Sequence, residues 1–214
     1  MRDWRRPRYE PVARFVDSCA RCWRPMTDVH FTPDDYAELL GLYLGDGHIS
    51  ELARTQRLRL SLDSRHPEII ADCKALLGRC LPANRNGSVL ADRGLTSVLR
   101  VYPQHLACLV PSTGRAKKHD RTIELEPWQW AIVRLAPWRF LRGCIRSDGC
   151  VFVNRTGRYE YLSYDFSNLS TGILDAFVAT CEIVGLRPRR YTKHVRLNRR
   201  DDVRQLVAHV GVKR

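Results

Sequence analysis

Apolar and polar positions alternate along this chain with two periods, and the order of those periods repeats after about a hundred residues. From Thr32 the chain runs through a capping hydroxyl, Pro33 at the first helical position, Asp34 and Asp35 in the first turn, and then a mainly apolar stretch to Leu44. That order predicts a helix reaching Asp46. Gly47 to Leu52 predicts a short strand, and Gln56 to Asp63 a clearer one. In Arg57-Leu58-Arg59-Leu60-Ser61-Leu62-Asp63 three leucines share one face, and Arg57, Arg59, Ser61 and Asp63 share the other. Pro67 to Leu77 has amphipathic helical spacing and is expected to stop at Gly78. Turn residues between Asn84 and Gly94, with alternation over Ser97 to Tyr102, predict a second hairpin; Pro103 to Val110 is expected as a closing helix.

The same plan then recurs. Pro137 opens a helix that reaches Asp148, Cys150 to Asn154 and Arg158 to Ser167 form a hairpin turning at Gly157, and a helix follows from Thr171 to Val184, ended by Gly185. Arg187 to Tyr191 and His194 to Asn198 make the last hairpin, and Asp201 to Val210 the last helix. Even the tails correspond, Gly114-Arg115-Ala116-Lys117-Lys118 with Gly211-Val212-Lys213-Arg214. The expectation is an α+β fold of two pseudo-symmetric αββαββα modules, over residues 32–113 and 137–214, each with a four-stranded antiparallel sheet. A linker over 114–136 contains a short tryptophan-rich helix from Glu126, in which Trp128 and Trp130 are expected to pack. A basic arm, residues 1–31, precedes the first module, with one short helix expected around Pro11 to Ser18.

The centre of each half is Leu-Leu-Gly-Leu-Tyr-Leu-Gly-Asp-Gly at 39–47 and Leu-Arg-Gly-Cys-Ile-Arg-Ser-Asp-Gly at 141–149. Gly41 with Gly45, and Gly143 with Ser147, place small residues on one helix face. Glycine inside a helix costs about 1 kcal/mol against alanine, so a repeated glycine points to close approach of a second backbone, the other copy being the natural partner. Gly47 and Gly149 are expected as left-handed C-terminal caps. Asp46 and Asp148 oppose the negative ends of their helices, and as neighbours they would raise each other's pKa unless a cation is shared. A divalent ion with oxygen ligands resolves that repulsion and can polarise a phosphodiester.

These two stretches resemble the motifs of the single-chain LAGLIDADG homing endonucleases. The motif's third letter falls on Gly41 and Gly143, its small seventh on Gly45 and Ser147, and its metal-binding eighth on Asp46 and Asp148; the usual acid at the sixth position is replaced by Leu44 and Arg146. The resemblance implies two motif helices packed about a pseudo-twofold axis through Gly41, Gly45, Gly143 and Ser147, beneath a saddle formed by the open sheet faces. It also implies that Asp46 and Asp148, beside Gly45 and Ser147, hold Mg²⁺ or another divalent ion and cut both strands of DNA. A non-cleaving DNA-binding regulator or RNA maturase on the same scaffold is the alternative, which commonly lacks one or both acids.

Charge agrees with a polyanionic partner. The net charge is +13, and only five of 36 basic residues are lysine; arginine reads phosphate and guanine bidentately. Expected DNA contacts are Arg57, Arg59, Ser61, Arg100, Tyr102, Arg158, Arg189, Tyr191, Lys193 and Arg196, with Glu160 also facing the saddle. Arg199, Lys117 and Lys118 are candidates to steady charge on the phosphate. Glu38 and Glu51 are expected at the surface, and His48 as a turn residue. Cys19-Ala-Arg-Cys22 is half of a zinc-ribbon pattern, with no second Cys or Cys/His pair taken to answer it, so structural Zn²⁺ is disfavoured. Scattered cysteines, no signal peptide and no apolar run of about 20 residues predict a cytoplasmic, DNA-associated monomer with no membrane segment.

Overall fold

The computed structural model of the protein describes residues 29–114 and 116–213, together with Ser18, Cys19 and Trp23. The helix expected near Pro11, and Cys22, lie outside the described residues. The first half contains α1 (Pro33–Asp46), β1 (Gly47–Glu51), β2 (Gln56–Asp63), α2 (Pro67–Cys80), β3 (Gly87–Ala91) and β4 (Thr96–Val101). The helix α3 (Pro127–Leu135) leads to the second half: α4 (Pro137–Asp148), β5 (Gly149–Thr156), β6 (Tyr159–Ser167), α5 (Thr171–Ile183), β7 (Arg189–Arg190), β8 (His194–Leu197) and α6 (Arg200–His209). The two antiparallel sheets have equivalent orders, β1-β2-β4-β3 and β5-β6-β8-β7.

Local chemistry sets most boundaries as expected. Thr32 caps α1 by accepting the Asp35 N–H at 3.1 Å, and Pro33 and Pro137 occupy first-turn positions. Ala136, forced out of the helical region by Pro137, separates α3 from α4. Two expected stops differ. The helix α2 runs through Gly78 to Cys80, because glycine in a well-packed helix costs only about 1 kcal/mol. Pro103–Val110 holds a single 3₁₀ turn at Ala107–Leu109 instead of a closing helix. There the Gln56 carboxamide oxygen accepts the Leu106 and Ala107 amides at 2.6 and 2.7 Å, satisfying the backbone without a helix.

Burial follows the alternation. Leu58, Leu60 and Leu62 turn into the core of the first half, as Tyr164 and Phe166 do in the second, where Phe166 stacks on Phe177 of α5 at 4.4 Å. The centre of the molecule is the α1–α4 pair, with both helices buried through their motifs. A Cβ on Gly41 would lie 2.8 Å from the Cys144 nitrogen and one on Gly143 would lie 2.8 Å from the Leu42 nitrogen; each would also run into a carbonyl oxygen, of Phe140 and of Glu38 respectively. Only hydrogen fits at these two crossing points. No helix among the described residues is long and apolar enough to cross a membrane.

Glu38, expected at the surface, is buried at this interface. Three arginines spaced along α4 meet it: Arg139 at 3.3 Å, Arg142 at 3.4 Å and Arg146 at 3.1 Å, while Asp72 of α2 receives Arg142 and Arg146 from the outside. Neutralising Glu38 removes the one buried member, leaving Asp72 to hold Arg142 and Arg146 and Asp34 to hold Arg139 from the partly exposed side, at a cost of about 1–3 kcal/mol. Glu38→Gln is therefore expected to lower the urea midpoint by a stability loss of that size, while Glu51→Gln, on the exposed end of β1, should stay within about 0.5 kcal/mol of the parent.

Candidate active site

The motif helices end side by side, and each passes directly into the first strand of its sheet. Gly47 and Gly149 have extended conformations, φ −83° and −88°, instead of the left-handed caps expected. Glycine is required there for space: an added Cβ would lie 2.5 Å from the Tyr43 Cα in the first copy and 2.5 Å from the Ile145 Cα in the second. This tight exit holds Asp46 and Asp148 at the junction of helix and sheet. Gly45 lies against the opposite copy, where a Cβ would sit 2.5 Å from the Ser147 Cβ and 3.1 Å from Asp148 Oδ2.

Both acids are half-buried. Burial raises the Asp46 carboxyl to about 7, with the charge of Asp148 adding to the shift and Lys213 and Lys118 opposing it. Burial also raises Asp148, where Asn168, donating to Oδ2 at 2.7 Å, and the same two lysines hold the shift back. The pair therefore holds a proton to higher pH than free carboxyls do. Two half-buried carboxylates side by side at two helix C-termini each disfavour the other's ionised form, and a shared cation would relieve that.

Two lysines answer them symmetrically. Lys118 donates to the carbonyls of Tyr43, of Leu44 at 3.0 Å and of Gly45 at 2.7 Å, at the end of α1. Lys213 donates to the Ser147 carbonyl at 2.6 Å, at the end of α4. Burial lowers Lys118 to about 8, against the pull of Asp148 and Asp46, and lowers Lys213 as well. Each lysine satisfies orphan carbonyls at a helix C-terminus and lies within electrostatic reach of both acids. The correspondence of Gly114–Lys118 with the chain end is the sequence signal that could have placed Lys213 in the site. It is absent from the residues nominated above. The donors here, two carboxylates and the Gly45 and Ser147 carbonyls already facing ammonium groups, are hard oxygens that fit a divalent cation.

The pH dependence follows from Asp46. Its carboxyl would ionise near 3.8 when unperturbed and near 7 in the folded protein, so the native state keeps a proton that the unfolded chain releases. The resulting stabilisation is full below about pH 4 and lost as pH rises through about 7. Lys118, at about 8, remains mostly charged over that window. In chelator, Asp46→Asn is expected to gain stability relative to the parent between about pH 5 and pH 8, on the order of 3 kcal/mol, as followed by urea midpoints. A difference independent of pH would contradict the burial of this pair.

An open cleft of about 770 Å³ lies beside the acids, lined by Asp46, Ser61, Asp63, Thr96, Ser147 and Lys213 among others. The open face of the first sheet continues from it. His48, Arg59, Arg100 and Gly87 form one cross-strand row, and Ser50 pairs with Arg57 beside it. The Nε atoms of Arg57, Arg59 and Arg100 are buried with no acceptor within the protein, so these guanidinium groups are held ready for one from outside. His48 is lowered by its own burial and by Arg59, Lys118 and Arg121, a sign of positive potential along this face. Ser61 and Tyr102 are exposed at the two ends of the face.

The second sheet is different. Its equivalent row is Cys150, Asp165, Arg196 and Arg189, and Arg196 already donates to Asp165 at 3.0 Å. Tyr191 stacks on His194 at 4.4 Å; Arg189 and Lys193 are exposed. Arg158 lies in the hairpin turn. Glu160 has the parity of Tyr164 and Phe166, hence the helix side of the sheet, and pairs with Arg155 at 2.9 Å. Since burial of Tyr164 and Phe166 fixes the register, Tyr159 and Tyr161 face the groove in place of Arg158 and Glu160. Lys117 is exposed, and Arg199 is exposed at the start of α6; the cations bearing on the acids are Lys118 and Lys213.

No protein-family model matches the chain, and no curated protein matches it in sequence. Solved structures do resemble it. The N-terminal LAGLIDADG domain of WhiA superposes with a TM-score of 0.55 at 15% identity, over 88% of this chain and 89% of that one. The homing endonuclease I-WcaI bound to its DNA recognition sequence gives 0.51 at 14% identity, over 85% and 83%. I-SmaMI bound to an uncleaved DNA target in the presence of calcium ions gives 0.51 at 7% identity, over 86% of both chains. At such identities the shared property is the backbone arrangement, and that arrangement, two αββ-type halves joined through a pair of Asp-Gly-terminated helices, is the LAGLIDADG fold.

Proposed function

We propose that the protein is a site-specific, metal-dependent double-strand DNA endonuclease, with Asp46 and Asp148 as its metal ligands. The observation that carries this reading is the paired centre: two half-buried acids and two half-buried lysines, related by the internal repeat, at the edge of an arginine-lined sheet face. A duplex has two strands to cut, and a twofold pair of acid–lysine units offers one to each.

The chain's own residues divide the work. Arg57, Arg59 and Arg100 bind phosphate and base edges, while Ser61, Tyr102, Tyr159, Tyr161, Arg189 and Arg196 extend the contact surface. Asp46 and Asp148, with the Gly45 and Ser147 carbonyls, would hold Mg²⁺ or a related ion, which when bound polarises the phosphodiester and acidifies water. An ion bound there would favour the ionised forms of both acids, so affinity for it should rise with pH. Lys118 and Lys213 can turn their ammonium groups from the helix carbonyls to the phosphate as its negative charge grows.

The likeness to the WhiA domain, as high as that to the endonucleases, favours the non-cleaving DNA-binding reading as the competitor. A randomised duplex library separates the two. The endonuclease reading expects recurrent cuts on both strands at a long site in Mg²⁺, and binding to that site in Ca²⁺. Tight sequence-selective binding with no cut in Mg²⁺ or Mn²⁺ would support the competitor.

A further inference from the structure

A second group of metal-binding side chains lies away from the paired acids. Cys19, His105 and Cys108 bring one ligand atom each to within 4.8 Å of one another. Tetrahedral zinc with thiolate and imidazole donors at their usual bond lengths would separate those atoms by roughly 3.5–3.8 Å, a change that side-chain rotation can supply. We propose that Cys19, His105 and Cys108 form a structural zinc site that fastens the segment preceding α1 to the loop following β4.

The loop that carries His105 and Cys108 is held in place independently of any ion. Gln56 accepts the Leu106 and Ala107 amides, the Leu109 amide donates to the Leu106 carbonyl at 2.9 Å, and Leu106 and Leu109 enter the core. With those two leucines turned inward, His105 and Cys108 come together outside them. The Leu109 carbonyl is fixed in turn by the Tyr36 hydroxyl at 2.6 Å. On the other segment Cys19 is buried, Trp23 donates back to its carbonyl at 2.8 Å, and His30 donates to the Cys80 carbonyl at 2.8 Å. Two thiols and an imidazole suit zinc, which has no oxygen preference, and do not suit magnesium.

The sequence agrees. His105-Leu-Ala-Cys108 is a closely spaced His/Cys pair that answers Cys19-Ala-Arg-Cys22, contrary to the expectation from sequence. Both spacings, Cys-x-x-Cys and His-x-x-Cys, are ones that structural zinc ligands use; Cys22 lies outside the described residues. On binding, each thiol releases its proton to solvent and the sulfur lone pair forms the bond to zinc, with no change of oxidation state. The ion would bridge residues 19 and 105, crossing the sequence from the arm to the end of the first sheet. That fixes where the basic arm leaves the body of the molecule.

Full-length protein purified without chelator is expected to carry one zinc per chain by elemental analysis. After exchange with Co²⁺ it should show the visible bands of a tetrahedral centre together with thiolate charge-transfer absorption. Cys108→Ser and His105→Ala should each weaken Co²⁺ binding at least about tenfold, as read by competition with a chelating dye. Cys150→Ser, on an exposed thiol of β5, should leave it unchanged. Reduced protein that takes up neither Zn²⁺ nor Co²⁺ would overturn the site, as would uptake unaltered in Cys108→Ser or a Cys19–Cys108 disulfide found by mass spectrometry. None of these readouts depends on DNA cleavage.

Discussion

Replacing either motif acid, Asp46→Asn or Asp148→Asn, should lower Mg²⁺-dependent double-strand cleavage by about 1000-fold or more while leaving the folded protein more stable above pH 7. The two effects share one cause. Burial places these carboxyls in surroundings that disfavour their ionised forms, and Asp46 most of all. An amide of the same size removes that penalty, and removes with it the charge that would hold a cation. Each variant should leave one strand cut more slowly than the other, giving nicked product before linear product. A variant that loses cleavage and stability together would instead mark Asp46 or Asp148 as a packing residue.

Substitution at the helix crossing should have the largest effect on folding. Gly41→Ala and Gly143→Ala are each expected to cost at least about 3 kcal/mol, because an added methyl meets backbone of the opposing helix, which cannot move without separating the two halves. Against a total stability of about 5–15 kcal/mol, Gly41→Val should prevent folding altogether. The sign of the alanine result is informative. If these glycines faced open space, alanine would stabilise the helix by about 1 kcal/mol. Gly78→Ala supplies the comparison: it lies within α2, where a Cβ would meet only the Asn86 side-chain nitrogen at 3.4 Å, and should be neutral or mildly stabilising. Chemical denaturation of the three variants side by side measures both effects.

Much of the architecture was legible because it rests on local periodicity used twice. The leucine alternation of β2 sets the buried face, the Thr-Pro-Asp-Asp start sets the first residue of α1, and the repeated small residues mark the helix crossing. What escaped notice depended on contacts between distant segments. Glu38 reads as a surface residue within α1; the three arginines that bury it come from α4, about a hundred positions later. Arg146, a departure from the motif when seen alone, is one of them. In β6 the basic residue and the acid nearest the turn were assigned to the groove, but core packing of Tyr164 and Phe166 sets the opposite register, which a run of tyrosines and acids does not disclose. The conformation of Gly47 and Gly149 escaped for a similar reason. A strand that begins at once demands extended backbone, and crowding from the preceding turn, not a left-handed φ, demands glycine.

The candidate site divides in the same way. Asp46 and Asp148 stand out in sequence because a carboxylate at a helix C-terminus, twice in register, runs against the helix dipole. Their lysine partners do not stand out, since each reaches the site from a tail that follows its own half. Only the match between those tails links them.

The most direct test of the paired centre uses supercoiled plasmid bearing one copy of the site selected in Ca²⁺, treated with Mg²⁺ and sampled over time. The account predicts linear DNA from the parent protein, nicked circles accumulating with Asp46→Asn or Asp148→Asn, and unchanged plasmid with both together. Plasmid that remains supercoiled while the parent protein stays bound at the site would contradict it.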